Sequence, residues 1–200
     1  MAGSNRRRAL LLMDFQQAVC GPSGVLGVPS GASGHTAARQ VLPRVQEALR
    51  RARRTDDFIV HVRVGFDEDG LRRVNRSQPF LGLEQRKVFS PGSAGFEFCP
   101  QAQPEPGELV VTKACVSPFA GTGLDDILRA QRADHLLLAG VATNFVVESA
   151  ARHAGDAGYA VDVIEDLCAA HSEEMHQFAV RRTLPLFGRI ATLNSVYPGA

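Results

Sequence analysis

The sequence has no CxxC pair, no excess of either charge, no internal repeat, no low-complexity tail and no apolar run long enough to cross a bilayer. Each lack removes a class of function. Cys20, Cys99, Cys115 and Cys168 lie far apart along the chain, which indicates neither a zinc site nor a disulfide framework and makes a reducing cytoplasm the expected setting. The 22 basic and 21 acidic residues leave a net charge of +1, so nucleic acid and anionic membranes meet no electrostatic footprint. Arg6, Arg7 and Arg8 precede an apolar stretch, but that stretch is too short for a signal-peptide core and ends in Asp14. No segment approaches the roughly 20 apolar residues of a membrane span. A small-molecule partner is what remains.

What is present is an alternation. Two hundred residues, 44% of them hydrophobic, suit one domain over 1–200 with a sizeable core. Strand-length apolar runs are expected at 7–14, 57–64, 108–113, 134–141, 159–166 and 189–196. A helix is expected over about 35–54, with Pro43 in its first turn and Val41, Val45, Ala48, Leu49 and Ala52 on one face. Further helices fit at about 123–132, 143–156 and 171–186. Near-continuous apolar strands separated by helices predict a three-layer α/β/α sandwich, Rossmann-like, with a six-stranded, mainly parallel sheet. Two Gly/Pro/Ser-rich stretches interrupt it: a flexible loop at 20–34 and an excursion at 65–107. Loops that long act as lids, binding loops or oligomer contacts.

On that frame Asp14 ends the first strand, Lys113 ends the third, and the turn at 142–146 follows the fourth. All lie at the carboxyl edge of the sheet, where ligands bind in open α/β folds. Neighbouring Asp and Lys each favour the other's charged form while burial opposes both, so the pair suits proton transfer; it equally suits an ion pair closing the end of the sheet. The turn, in GVATNFVVESAARHAG, has the shape of a strand handing over to a helix, where backbone N–H groups are free. Val146 occupies the place where such a turn would carry a nucleophile.

The blocks LLLMDFQQAV, PGSAGFE, LVVTK…SPFAGTGLDDIL and LLLAGVATNFVVESAARHAGDAGYAVDVIEDLCAAHSEEMH resemble, in this order, the isochorismatase-like hydrolase superfamily. That superfamily includes cysteine amidohydrolases, nicotinamidases and true isochorismatases, and the resemblance spans about residues 8–196. It implies an Asp/Lys/Cys triad and an oxyanion site built on a non-proline cis peptide. Asp14 matches the Asp, Lys113 the Lys and Val141-Ala142 the cis peptide, while the Cys position falls on Val146. Valine has no lone pair or ionisable proton, so no thiolate and no acyl-enzyme can form there.

Other nucleophiles are weak candidates. Cys115, two residues beyond Lys113, would share its face in an extended chain, though a small buried thiol fits the same position. Thr143 suits a helix cap, Ser117 a turn, and Ser149 lies one turn too far along its helix. Phe15, Gln16, Phe119, Thr143, Asn144 and Phe145 are expected to contact substrate, and the phenylalanines, with Phe89 and Phe96, suit a planar ligand. Nicotinamidase-like relatives place an Asp-x-His and a further His after the second strand. This chain reads HVRVGFDEDG there, His61 is expected in the core, His153 on the surface, and His171 and His176 on a solvated helix face. No metal and no cofactor are expected.

Three functions follow. One is Cys-independent hydrolysis of a vinyl ether or similar bond, as in true isochorismatases, with Asp14 as acid and Lys113 stabilising charge. Another is an amidohydrolase descendant with altered chemistry or a displaced nucleophile, which the GVATNF turn resembles more closely. The last is a non-catalytic protein that binds a small molecule or a subunit through the old pocket. A homodimer or homotetramer is what the resemblance implies.

Overall fold

Strand β1 (Arg7–Met13) sets the architecture, because successive side chains of a strand point to opposite faces and both of its faces are apolar. Leu10 and Leu12 enter one core with Val41, Val45, Ala48, Leu49 and Leu193. Ala9, Leu11 and Met13 enter the other with Leu124, Leu128, Ala150, Ala151 and Ala154. The computed structural model describes residues 7–66 and 75–198.

The sheet is completed by β2 (Phe58–Val64), β3 (Leu109–Lys113), β4 (Ala133–Val141), β5 (Ala160–Ala169) and β6 (Arg189–Ala191). Its order is β3-β2-β1-β4-β5-β6 and every pairing is parallel. Helices α1 (Gln17–Cys20), α2 (Gly27–Ser30), α3 (Ala32–Ala38), α4 (Val41–Ala52), α5 (Gln78–Gln85), α6 (Leu124–Ala130), α7 (Glu148–Asp156), α8 (Glu173–Phe178) and α9 (Leu193–Val196) are the α-helices among the described residues, joined by short 3-10 and π turns. The α4 and α9 side chains cover one face and those of α6 and α7 the other, giving the three-layer α/β/α sandwich. From β1 the chain moves outward through β2 and β3, then returns to β4 on the opposite side of β1. Adjacent loops therefore diverge between β1 and β4, and the crevice opens there.

Several boundaries depart from expectation for local reasons. The helix expected over 35–54 is two helices, broken at Gln40, whose φ is 52°. Pro43 cannot donate to the Arg39 carbonyl and its ring crowds that oxygen, so a single helix cannot run through; the Arg39 oxygen takes Arg44 Nη1 at 2.6 Å instead. The strand expected over 189–196 stops at Ala191, because Thr192 and Ser195 form a reciprocal capping box that starts α9. The loop expected over 20–34 is not featureless: it contains α2 and the start of α3. The excursion after β2 contains α5 and a 3-10 turn at Pro100–Ala102, and its residues 67–74 lie outside the described residues.

Candidate active site

Asp14 follows β1 directly. Its N–H still continues the ladder to the Val62 carbonyl at 2.9 Å, but its φ of 63° turns the chain out of the sheet. A short polar side chain tolerates that left-handed conformation better than a branched one. Lys113 is the last residue of β3, two strands away, and its ammonium spans β2 to reach Asp14. Nζ donates to Asp14 Oδ2 at 2.9 Å and to the Cys115 carbonyl at 3.0 Å. The two residues are 6% and 2% exposed, so the pair is dry on its protein side. Among the described residues Asp14 Oδ1 has no hydrogen-bond partner. Burial pushes the Asp14 carboxyl above the usual carboxylate range, against the opposing pull of the Lys113 charge and hydrogen bond.

Both side chains line a cavity of about 620 Å³, together with Val141, Ala142, Phe145 and Val146. The Val141–Ala142 peptide bond is cis. Beyond it the chain makes one wide turn, Thr143–Val147, in which the Ala142 carbonyl accepts from the N–H groups of Phe145 at 3.0 Å and Val147 at 3.4 Å. Such π turns recur at functional sites. Val146, 1% exposed, contributes an apolar patch of cavity wall.

The residues expected to contact substrate separate. Phe145 lines the cavity and is half exposed. Phe15 does not line it; it packs in the core against the α4 face. Gln16 is wholly buried, its amide donating to the Val64 and Phe96 carbonyls at 2.9 and 3.0 Å while its oxygen accepts from Val64 N–H at 2.7 Å. The positive φ of Asp14 rotates the next two residues away from the crevice, which is why proximity in sequence misleads. Phe119 stacks on exposed His153, centroids 4.2 Å apart, and packs into the second core. Asn144 is half-buried beside the crevice, not among the residues that line it. Phe89 does line the cavity, whereas Phe96 lies under the Arg63 guanidinium.

Thr143 does not cap the helix: its Oγ1 bonds His176 Nδ1 at 2.8 Å, and His176 Nε2 lies 3.4 Å from Glu165 Oε2, which Arg39 also holds at 3.0 Å. His176 is wholly buried, not on a solvated face. The helix expected from 171 starts only at Glu173, where the Ser172 hydroxyl accepts Met175 N–H, and this phase turns His176 inward while Met175 and Phe178 face out. His171 precedes that helix and lines the cavity. Cys115 does not line it: its Sγ contacts the Ser117 and Ala120 carbonyls, and burial pushes the thiol up. Ser117 Oγ accepts Phe119 N–H at 3.2 Å within its turn.

His61, in the middle of β2, is buried and bonds Glu108 Oε2 at 2.8 Å. Among the described residues no three His, Cys, Asp or Glu side chains are placed to hold a metal ion. Asp67, Glu68 and Asp69 of the HVRVGFDEDG stretch lie outside the described residues. Of the outer wall sequence reasoning found Phe89 alone; it missed His171, and Phe80, Leu83 and Arg86 of the excursion with Val19 and Leu26. The signal for that wall was the apolar spacing within SQPFLGLEQRKVF inside an otherwise polar excursion.

The six-stranded parallel sheet with helices on both faces places the chain in a class of α/β proteins, and solved structures share that fold. A cysteine hydrolase from Pseudomonas syringae pv. phaseolicola 1448A superposes with a TM-score of 0.84 at 23% identity, covering 96% of this chain and 91% of its own. An isochorismatase family protein from Desulfovibrio vulgaris gives 0.83 at 25% identity, covering 96% and 97%. N-carbamoylsarcosine amidase from Thermoplasma acidophilum gives 0.71 at 23% identity, covering 94% and 97%. The chain itself belongs to the isochorismatase family, whose isochorismatase domain profile matches residues 8–195.

Proposed function

We propose that the protein is a hydrolase of a small molecule that works through Asp14 and Lys113 without a covalent cysteine intermediate. The observation that carries the reading is the buried 2.9 Å pair whose second carboxylate oxygen is unpartnered beside a cavity of about 620 Å³. In it Asp14 delivers a proton, and burial, which raises its pKa, favours the protonated carboxyl that the role requires. Lys113 stabilises negative charge on the reacting group. Val146 stands where the family resemblance puts the nucleophile, and it supplies only apolar contact. The expected setting is the cytoplasm, and a homodimer or homotetramer is part of the same proposal; exposed Phe145, Phe178 and Leu186 offer apolar surface for self-association.

A descendant of the amidohydrolases is the second reading, favoured by a neighbour such as the Thermoplasma N-carbamoylsarcosine amidase. Cys115 serves poorly as its displaced nucleophile, since its thiol is turned away from the cavity. A vinyl ether carboxylate, a primary aromatic amide and an N-carbamoyl amino acid are the probes that separate the readings. Turnover with no acyl adduct by intact-protein mass spectrometry is expected. A trapped adduct on Cys115 overturns the Cys-independent mechanism, and a probe that binds without turnover points to a non-catalytic protein.

A further inference from the structure

Among the described residues four ionisable side chains line the cavity: Asp14, Lys113, Arg86 and His171. If no side chain attacks the substrate, water must, and water needs a base. An ammonium and a guanidinium donate protons but accept none, and Asp14 is the proton donor of the reading above. An imidazole both accepts and returns a proton. We propose that His171 is the general base that activates the attacking water in this cavity, acting on the same substrate as Asp14. This inference rests on the Cys-independent reading.

Its placement suits the role. Lys113 ends β3 and His171 follows β5, so they enter from opposite flanks, with Asp14 and the cis turn between them. Strands lie about 4.8 Å apart, so the backbone ends of β1 and β5, two spacings away, are separated by about 10 Å across the cavity. That gap admits a reacting group and a water. The loop holding His171 is fixed from behind: Ala170 N–H donates to His35 Nδ1 at 3.0 Å. Gly31, with φ of 86°, passes so close that a Cβ on it would stand 2.4 Å from the His171 carbonyl oxygen.

The charged groups around that loop are engaged with one another. His35 and Arg39 meet Glu173, and Arg39 and His176 meet Glu165. Across the cavity Asp14 and Lys113 are paired, and Arg86 sits on the outer wall. The His171 ring touches Phe145, centroids 5.4 Å apart, and burial lowers its pKa, which keeps the imidazole neutral and able to accept a proton.

In the step, water gives a proton to a ring nitrogen of His171 as its oxygen bonds the electrophilic atom of the substrate. The bond to the leaving atom breaks with its electron pair on that atom, which takes the proton of Asp14. The imidazolium then returns its proton to the Asp14 carboxylate through solvent, and both groups are restored.

The test uses the full chain, the three probes named above and a pH series, with His171→Gln, His171→Ala and Asp14→Asn compared by melting curve to the parent. Both His171 variants are expected to lose about 100-fold in kcat with little change in KM, the range of one general base. The acidic limb of the parent's pH profile is expected to disappear in His171→Gln, and added imidazole to restore part of the His171→Ala rate. If Asp14→Asn is inactive while both His171 variants keep the parent's rate and acidic limb, His171 is not the base and the hydrolase reading stands. If the parent turns over none of the probes, or Asp14→Asn keeps the parent's rate, both proposals fall.

Discussion

Two clusters of the molecule are built from the same materials, a buried carboxylate facing a cation, and end in opposite states. At the sheet's carboxyl edge Asp14 meets Lys113 through one oxygen and keeps the other free. Beside β2, Glu108 has both oxygens taken: Oε1 by Arg53 at 2.8 Å, and Oε2 by Arg53 at 3.0 Å, His61 at 2.8 Å and the Glu105 N–H at 2.8 Å. Burial opposes ionisation in both. It prevails at Asp14, whose pKa is raised, whereas at Glu108 the four donors prevail and hold the carboxyl at about 2. An ion pair therefore does not mark a functional site. What distinguishes the edge is a carboxylate oxygen with no hydrogen-bond partner among the described residues, on a side chain that lines a cavity.

The largest expected effect tests that distinction directly. Asp14→Asn should lower turnover of any productive probe by about 100-fold or more, the usual contribution of a general acid, while Glu108→Gln leaves it within about twofold. Equal losses in steady-state assays would erase the difference between the clusters.

Stability should reverse the ranking. A carboxyl held below its unfolded value stabilises the fold above about pH 5, and that contribution is lost as pH falls towards the folded value of about 2. Glu108→Gln should therefore cost about 1–2 kcal/mol at neutral pH, solvent at the cluster's edge screening part of the pair, and should flatten the acid side of a urea-melt stability profile. A parent profile with no slope between those limits would mean that Glu108 contributes nothing.

Gly31→Ala should cost about 1–2 kcal/mol through its left-handed backbone alone. The added methyl also presses on the His171 carbonyl, so turnover should fall further than the melting temperature suggests. A variant with the parent's melting curve would show that the chain relaxes there freely.

The smallest change in stability, under about 1 kcal/mol, is expected from Val146→Cys, since the two side chains are close in volume. Its thiol would lie near Lys113 at the start of a helical turn, and both influences favour a thiolate. Iodoacetamide at neutral pH should label position 146, on the cavity wall, ahead of Cys115 and Cys168, whose thiols burial pushes up. Slower labelling than at those sites would mean that the wall has been rebuilt around valine.

The strands were legible because a parallel sheet covered on both faces needs continuous apolar runs, and β1 to β5 supply them. The meeting of Asp14 with Lys113 was expected from two strand ends at one edge of the sheet and from the family resemblance. What the sequence concealed depends on phase. One cap at Ser172 decides that His176 points inward, and one positive φ at Asp14 decides that Phe15 and Gln16 leave the crevice. Most of the outer wall was concealed as well, because Phe80, Leu83 and Arg86 acquire a role only when tertiary folding lays the excursion over the switch point.

Gln16 gives that last point a practical form. One buried amide grips Val64, where the excursion leaves the sheet, and Phe96, well inside the excursion. The span between is thus a cassette clamped at both ends by a residue two positions from the acid. Its length can change at small entropic cost, because each doubling of a loop adds only about 0.6 kcal/mol. That span carries Phe80, Leu83, Arg86 and Phe89 of the cavity's outer wall, so the clamp fixes where the wall meets the sheet.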